Sequence, residues 1–123
     1  MMAADRASAA LDIELVEAGP DFAVTRLRVR PDMINGHAVA HGGIVFALAD
    51  TAFACACNSS GPVTVAASAE ITFVSPARVN DELVAHASLR VRYGRRGVYD
   101  VTVRRGAEVI AEFRGHSQQL AQQ

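Results

Sequence analysis

Sixteen consecutive residues, Gly42 to Cys57 (GGIVFALADTAFACAC), carry a single charged side chain, Asp50, and no turn-forming residue after Gly43. Ala, Leu and Phe dominate the run, which predicts a helix of about four turns. Asn58-Ser59-Ser60-Gly61-Pro62 follows, a cluster that stops helices. A helix without a polar face must be covered all round. A membrane is not the expected cover, because the charge sits mid-run and the residues are small. The rest of the chain therefore has to enclose this segment, and few folds do that.

The flanking segments read as strands. Leu11 to Val16 alternates Leu11, Ile13 and Leu15 against Asp12 and Glu14. Gly19-Pro20-Asp21 is a turn, and Phe22 to Arg30 supplies a second strand. Pro31, Asn35-Gly36 and Gly42-Gly43 mark an irregular loop before the helix. After the helix, Val63 to Phe73 sets Val63, Val65, Ala67, Ala69, Ile71 and Phe73 on one face, and Ser75-Pro76 ends it. Leu83 to Tyr93, Val98 to Arg104 and Glu108 to Gly115 follow, joined by Gly94-Arg95-Arg96-Gly97 and by Arg105-Gly106. The order is ββ–α–ββββ. An antiparallel sheet of about six strands wrapped around one long helix satisfies both burial patterns. That is the hotdog arrangement, an α+β fold. The 123 residues form one expected domain. Residues 1–10 read as an Ala-rich extension with the composition of a short helix, and 117–123 as a frayed tail.

Composition narrows the partners. The formal net charge is −1 and Trp is absent, so neither nucleic acid nor an acidic membrane surface is an expected partner. Local basic clusters could still hold phosphate. Cys55 and Cys57 are one residue apart, where a disulfide would be strained, and they do not make a zinc set. Two buried reduced thiols fit a cytoplasmic protein, and the start of the chain has no apolar leader core. No metal site is expected.

Asp50 is the most informative residue. Helical spacing surrounds it with Gly43, Phe46, Ala47, Phe53, Ala54 and Cys57. An ionised carboxylate on such a stripe costs several kcal/mol, on the order of the desolvation penalty, unless it is compensated. Carboxylates placed at that cost mark candidate catalytic sites. Thr51 is next to it and either assists chemistry or bonds back to the preceding turn. At the helix start, His41-Gly42-Gly43 combines unsatisfied N–H groups with glycines that admit a ligand to the backbone. Such a start can polarise a carbonyl and hold an oxyanion. Asn35-Gly36 reads equally as a tight turn or as an amide aimed at a substrate.

Gly42 and Asp50 are eight residues apart, about 12 Å along a helix. A donor and a base acting on one carbonyl must each lie within about 3 Å of it. One helix cannot bring both together. If both act, a two-fold dimer must pair Gly42 of one chain with Asp50 of the other.

The segment from Asn35-Gly36 through HGGIVFALADTAFACACNS resembles the phenylacetic-acid-degradation type of hotdog acyl-CoA thioesterase. Asp81-Glu82-Leu83-Val84-Ala85 and Arg96-Gly97 with Tyr99-Asp100-Val101 extend the resemblance, which runs from about Leu11 to His116. It implies hydrolysis of aryl- or acyl-CoA thioesters to free acid and CoA, with no separate cofactor because coenzyme A is part of the substrate. It also implies a homodimer as the smallest active unit and a homotetramer built from it. Asp50 becomes base or nucleophile, the Gly42 amide polarises the carbonyl, and Asn35 and His41 line the site. Thr51 becomes a helper to the water. Gly43 and Phe46 lie on the substrate side, and Arg95 and Arg96 are candidate contacts to CoA phosphates. Two other readings share the pocket: an acyl-thioester hydratase or dehydratase with His41 as base, and a CoA-ester binding module without turnover.

Overall fold

The computed structural model describes residues 2–59 and 61–121. Ser60, part of the expected helix stop, and the extreme ends Met1 and Gln122–Gln123 lie outside the described residues. A short helix α1 (Arg6–Ala10) precedes strands β1 (Glu14–Gly19) and β2 (Phe22–Arg28). The long helix α2 spans Gly42–Cys57, and β3 (Thr64–Phe73), β4 (Glu82–Tyr93), β5 (Arg96–Arg105) and β6 (Glu108–Gln119) complete the chain. The six strands form one sheet in the order β1-β2-β4-β5-β6-β3, and every neighbouring pair is antiparallel. This is the hotdog fold expected from the burial pattern.

The sequence of α2 explains how close it lies to the sheet. Ala49, Ala52 and Ala56 are fully buried, and side chains this small let the helix axis approach. Leu48 and Phe53 fill the space beside them, each worth about 1.5–3 kcal/mol of burial. Leu27, Leu83, Ala85, Val101, Val103 and Phe113 meet them from the strands. The Phe53 ring lies over Gly115, where a Cβ would come within 2.7 Å of it. Asn58 ends the helix and fastens it to β3. Its Nδ2 donates to the carbonyls of Ala54 (2.9 Å) and Thr64 (3.0 Å), and its Oδ1 accepts from the Thr64 N–H at 2.9 Å.

Three expectations need correction. The first strand starts at Glu14 rather than Leu11. Leu11 closes α1, Asp12 takes a left-handed φ of 56°, and the Ile13 N–H donates to the Ser8 carbonyl at 2.9 Å. The alternation there reflects a helix exit, with Ile13 buried and Leu15 left 41% exposed. The short helix expected in the first ten residues is present as α1, and its Ser8 is buried and bonded to α2. At the other end β6 runs on to Gln119. Ser117 is buried there and pairs with both Gly97 and Ala66, so residues 117–119 belong to the sheet. The β4–β5 connection is a two-residue turn, Gly94-Arg95, because Tyr93 and Arg96 pair and Gly94 supplies the positive φ of 61°.

The wrapping is also less complete than expected. Ile44, Phe46, Ala47, Asp50 and Ala54 of α2 are only partly covered. β3 is an edge strand, and a bulge between Ala66 and Ser68 breaks the single apolar face expected of it: Ala69, Ile71 and Phe73 share the face paired with Gly115, Phe113 and Ala111, whereas Val65 lies on the other, and Val63, Val65, Phe73 and Val74 are exposed.

Candidate active site

The residues singled out at the start of α2 form a donor end. His41 is the N-cap, and its Nδ1 accepts the Gly43 N–H at 2.9 Å. That bond commits Nδ1 of the ring to the backbone. The His41 carbonyl takes the N–H groups of Ile44 (2.9 Å) and Val45 (3.3 Å). Gly43, expected on the substrate side, therefore has its amide occupied. The Gly42 N–H has no partner among the described residues. Of the first amides in the helix it is the one left open, at the positive end of the dipole.

Asn35 serves the loop and leaves part of itself free. Its Oδ1 accepts the N–H of His37 at 2.8 Å and of Val39 at 3.4 Å, and its own N–H donates to the Val39 carbonyl at 2.8 Å. The Nδ2 amide donates to nothing among the described residues. Asn35 is thus both the turn residue and an available donor. It shares a cavity of about 370 Å³ with Gly42, lined also by Val39, Val45, Phe73 and Ile110. The structure brings Asn35 and Gly42 to one pocket.

Asp50 is not in that pocket. Gly42 and Asp50 lie on the same continuous helix, so about 12 Å separates them along its axis. The Asp50 carboxylate is half-buried and has no hydrogen-bond or ion-pair partner among the described residues. Its pKa is pushed above the usual carboxylate range, chiefly by burial and secondarily by the negative charge of Asp5. Asp5 itself is held low, because the Ser8 hydroxyl and backbone N–H both donate to it.

Thr51 bonds neither to Asp50 nor to the preceding turn. Its Oγ1 lies 2.9 Å from Ser8 Oγ, and Ser8 Oγ lies 2.7 Å from Asp5 Oδ2. An ionised carboxylate only accepts, so Ser8 donates to Asp5 and Thr51 donates to Ser8. Phe46 meets Phe113 edge-on, with ring centroids 5.3 Å apart, and is half-buried core on its inner side. Arg95 and Arg96 are exposed, and their guanidinium groups have no acidic partner among the described residues. Arg26, Arg28 and Arg30 form no free basic cluster, since Glu14, Glu82, Asp12 and Asp32 pair with them. The cavity of about 510 Å³ beside them is consequently neutralised and shares no lining residue with the helix-start pocket. Burial pushes the Cys57 thiol up to about 12, which keeps it protonated and unreactive at neutral pH. Among the described residues no three His, Cys, Asp or Glu side chains gather to hold a metal. No helix among them is long and apolar enough to cross a membrane.

Sequence reasoning missed Phe73 and the Asp5–Ser8 pair. Phe73 sat in an alternating strand, where a pocket residue and a core residue look alike. Asp5 and Ser8 had the spacing of a helix cap, an Asp three residues before the amide it caps, and that signal was available.

Residues 37–111 match the thioesterase superfamily. The chain belongs to that family. It is 41% identical over 117 residues to the acyl-coenzyme A thioesterase PaaI of Escherichia coli, covering 94% of this chain and 84% of that one. The structure of the E. coli PaaI protein from the phenylacetic acid degradation operon superimposes with a TM-score of 0.95 at 39% identity, over 98% of this chain and 88% of that chain. A structure of the phenylacetic acid degradation protein PaaI from Thermus thermophilus gives a TM-score of 0.91 at 34% identity, over 94% and 100% of the two chains. Human acyl-coenzyme A thioesterase 13 is 27% identical over 113 residues, 88% of this chain and 79% of that one.

Proposed function

We propose that this member of the thioesterase superfamily hydrolyses acyl-CoA thioesters to the free acid and CoA, with aryl-acyl groups such as phenylacetyl or hydroxyphenylacetyl as its substrate class. The observation that carries the reading is the pairing of an open Gly42 N–H in an apolar pocket with an unpartnered, half-buried Asp50 carboxylate. The aryl preference and a place in phenylacetate breakdown draw support from the names of the two PaaI structures, and a cytoplasmic location is proposed with them.

The chemistry asks little of the protein. A thioester carbonyl is electrophilic and a thiolate leaves readily. The Gly42 N–H, backed by the dipole of α2, takes up the charge that develops on the carbonyl oxygen. The Asn35 amide is a second donor within the same cavity. Asp50 of the other subunit then acts in one of two ways. It attacks the carbonyl carbon, the C–S bond breaks, and water hydrolyses the resulting anhydride. Alternatively it takes a proton from water as that water attacks, and the C–S bond breaks as CoA leaves. Both routes need Asp50 ionised. His41, with Nδ1 committed to the Gly43 N–H, is a shaping residue in this scheme, which argues against a dehydratase that uses it as base. The homodimer is the proposed active unit, and the homotetramer its proposed assembly.

The test is thiol release from phenylacetyl-, hydroxyphenylacetyl-, benzoyl- and straight-chain acyl-CoA, run beside Asp50→Ala and His41→Ala. Activity abolished by the first substitution and partly kept by the second is expected. Tight acyl-CoA binding with no thiol release would make this a binding module, and an enoyl absorbance change without thiol release a dehydratase.

A further inference from the structure

We infer that Phe73 is a specificity-determining residue of this site: its ring, lying against the Gly42 backbone, is the wall on which the acyl group packs. The inference rests on the thioesterase reading and adds which part of the substrate the pocket receives.

The contact is close. A Cβ placed on Gly42 would lie 3.0 Å from Phe73 Cζ and 3.5 Å from both Cε atoms. The ring therefore borders the one residue at the helix start whose amide is open. Its base is rigid. Phe73 pairs with Ala111 in the sheet, and the next two N–H groups, of Val74 and Ser75, both donate to the Ile110 carbonyl at 2.8 and 3.1 Å. Yet the residue is 53% exposed, so the fold fixes an aromatic ring at the pocket without covering it. Apolar surface held in place and left open gains from a ligand that covers it.

The lining decides which half of the thioester enters. Val39, Val45, Val74, Ala77 and Ile110 line the cavity together with the ring, and Asn35 and Gly42 are among its polar points. The thiol arm of CoA carries two amides and a hydroxyl that lose hydrogen bonds among such residues. A hydrocarbon or phenyl group loses none. With the carbonyl oxygen on the Gly42 N–H, the acyl body lies on Phe73 and the thiol arm leaves toward solvent. Offset or edge-on packing then favours an aryl acyl group over a short alkyl one.

The experiment compares wild type, Phe73→Ala and Phe73→Tyr on phenylacetyl-CoA and butyryl-CoA, which share the whole thiol arm. Thiol release gives kcat and KM, and native mass is measured for each protein. Phe73→Ala is expected to raise KM for phenylacetyl-CoA on the order of ten-fold. The rise for butyryl-CoA should be clearly smaller, kcat nearly constant, and Phe73→Tyr close to wild type. An equal rise for both substrates would assign the ring to the thiol arm and overturn the inference. So would no rise, or a native mass that changes with Phe73→Ala, which would make the ring a subunit contact. Wild-type protein that releases no thiol from any acyl-CoA would instead overturn the thioesterase reading on which the inference stands.

Discussion

Asp50 destabilises the fold it serves. Its carboxyl keeps a proton to higher pH in the folded chain than in the unfolded one, where the usual value is 3.8. Between those two values the folded state binds more protons, so stability falls as pH rises through the window. Below it the carboxyl is neutral in both states and carries no penalty. Above it the full penalty applies. Asp50→Asn is therefore expected to abolish thiol release at neutral pH while raising the melting temperature by a few degrees. The gain should close as the pH is lowered toward 4. Melting curves of the two proteins at pH 7 and pH 4 measure this, and a less stable Asp50→Asn at pH 7 would refute it. For wild type the same shift requires kcat/KM to fall on the acid side at a midpoint above 3.8. Asp50 stood out in the sequence because nothing else in sixteen residues is charged. The division of labour between Gly42 and Gly43 was invisible there, since it depends on where the His41 ring turns.

The short helix α1 is secured to α2 by one polar thread, Thr51 to Ser8 to Asp5, in an otherwise apolar contact. Ser8 is 3% exposed and Thr51 8%. Removing the Ser8 hydroxyl strands a buried Thr51 hydroxyl and leaves Asp5 only its backbone donor. Ser8→Ala should cost about 1–2 kcal/mol in chemical denaturation. Adding Thr51→Val should recover part of that loss, because removing both partners is milder than stranding one. Strictly additive losses would mean that the two hydroxyls do not depend on each other. This element shows where local pattern misleads. Leu11 and Ile13 alternate like a strand, yet they close a helix through Asp12, a residue type that tolerates a left-handed φ. The limits of α2 were legible because His41-Gly42-Gly43 opens it and Asn58 follows it. The extension of β6 was not legible, since Gln118 and Gln119 are poor strand formers and are ordered by pairing with Arg96 and Thr64.

At the scale of the whole molecule, one chain leaves two things unfinished. β3 presents ten residues of backbone edge that no other strand of the described sheet pairs, and no Lys or Pro within it guards that edge. The partly covered stripe of α2 contains Asp50, and the open Gly42 amide lies at the far end of the same helix. The alternation in Val63 to Phe73 announced one apolar face, but it could not show the bulge between Ala66 and Ser68 that puts Val65 and Phe73 on opposite faces. A two-fold dimer joined along β3 would cover the edge and bring each Asp50 to the other chain's Gly42. Gly42→Pro isolates the donor. Proline is accepted at the first helical position, and His41, at φ −59° and ψ 135°, already has the backbone a residue before proline prefers. A Cβ there would lie 3.0 Å from Phe73 Cζ, so that ring shifts as well, and Phe73→Ala measured alongside gives the part of the loss that belongs to the ring. Gly42→Pro and Asp50→Asn homodimers should each lose on the order of a hundred-fold or more in kcat. A heterodimer of the two has one site with both groups intact and one with neither. Random 1:1 reassociation makes about half the dimers mixed, so about a quarter of wild-type activity should return. Verified heterodimers no more active than their parents would show that Gly42 and Asp50 do not meet across two chains.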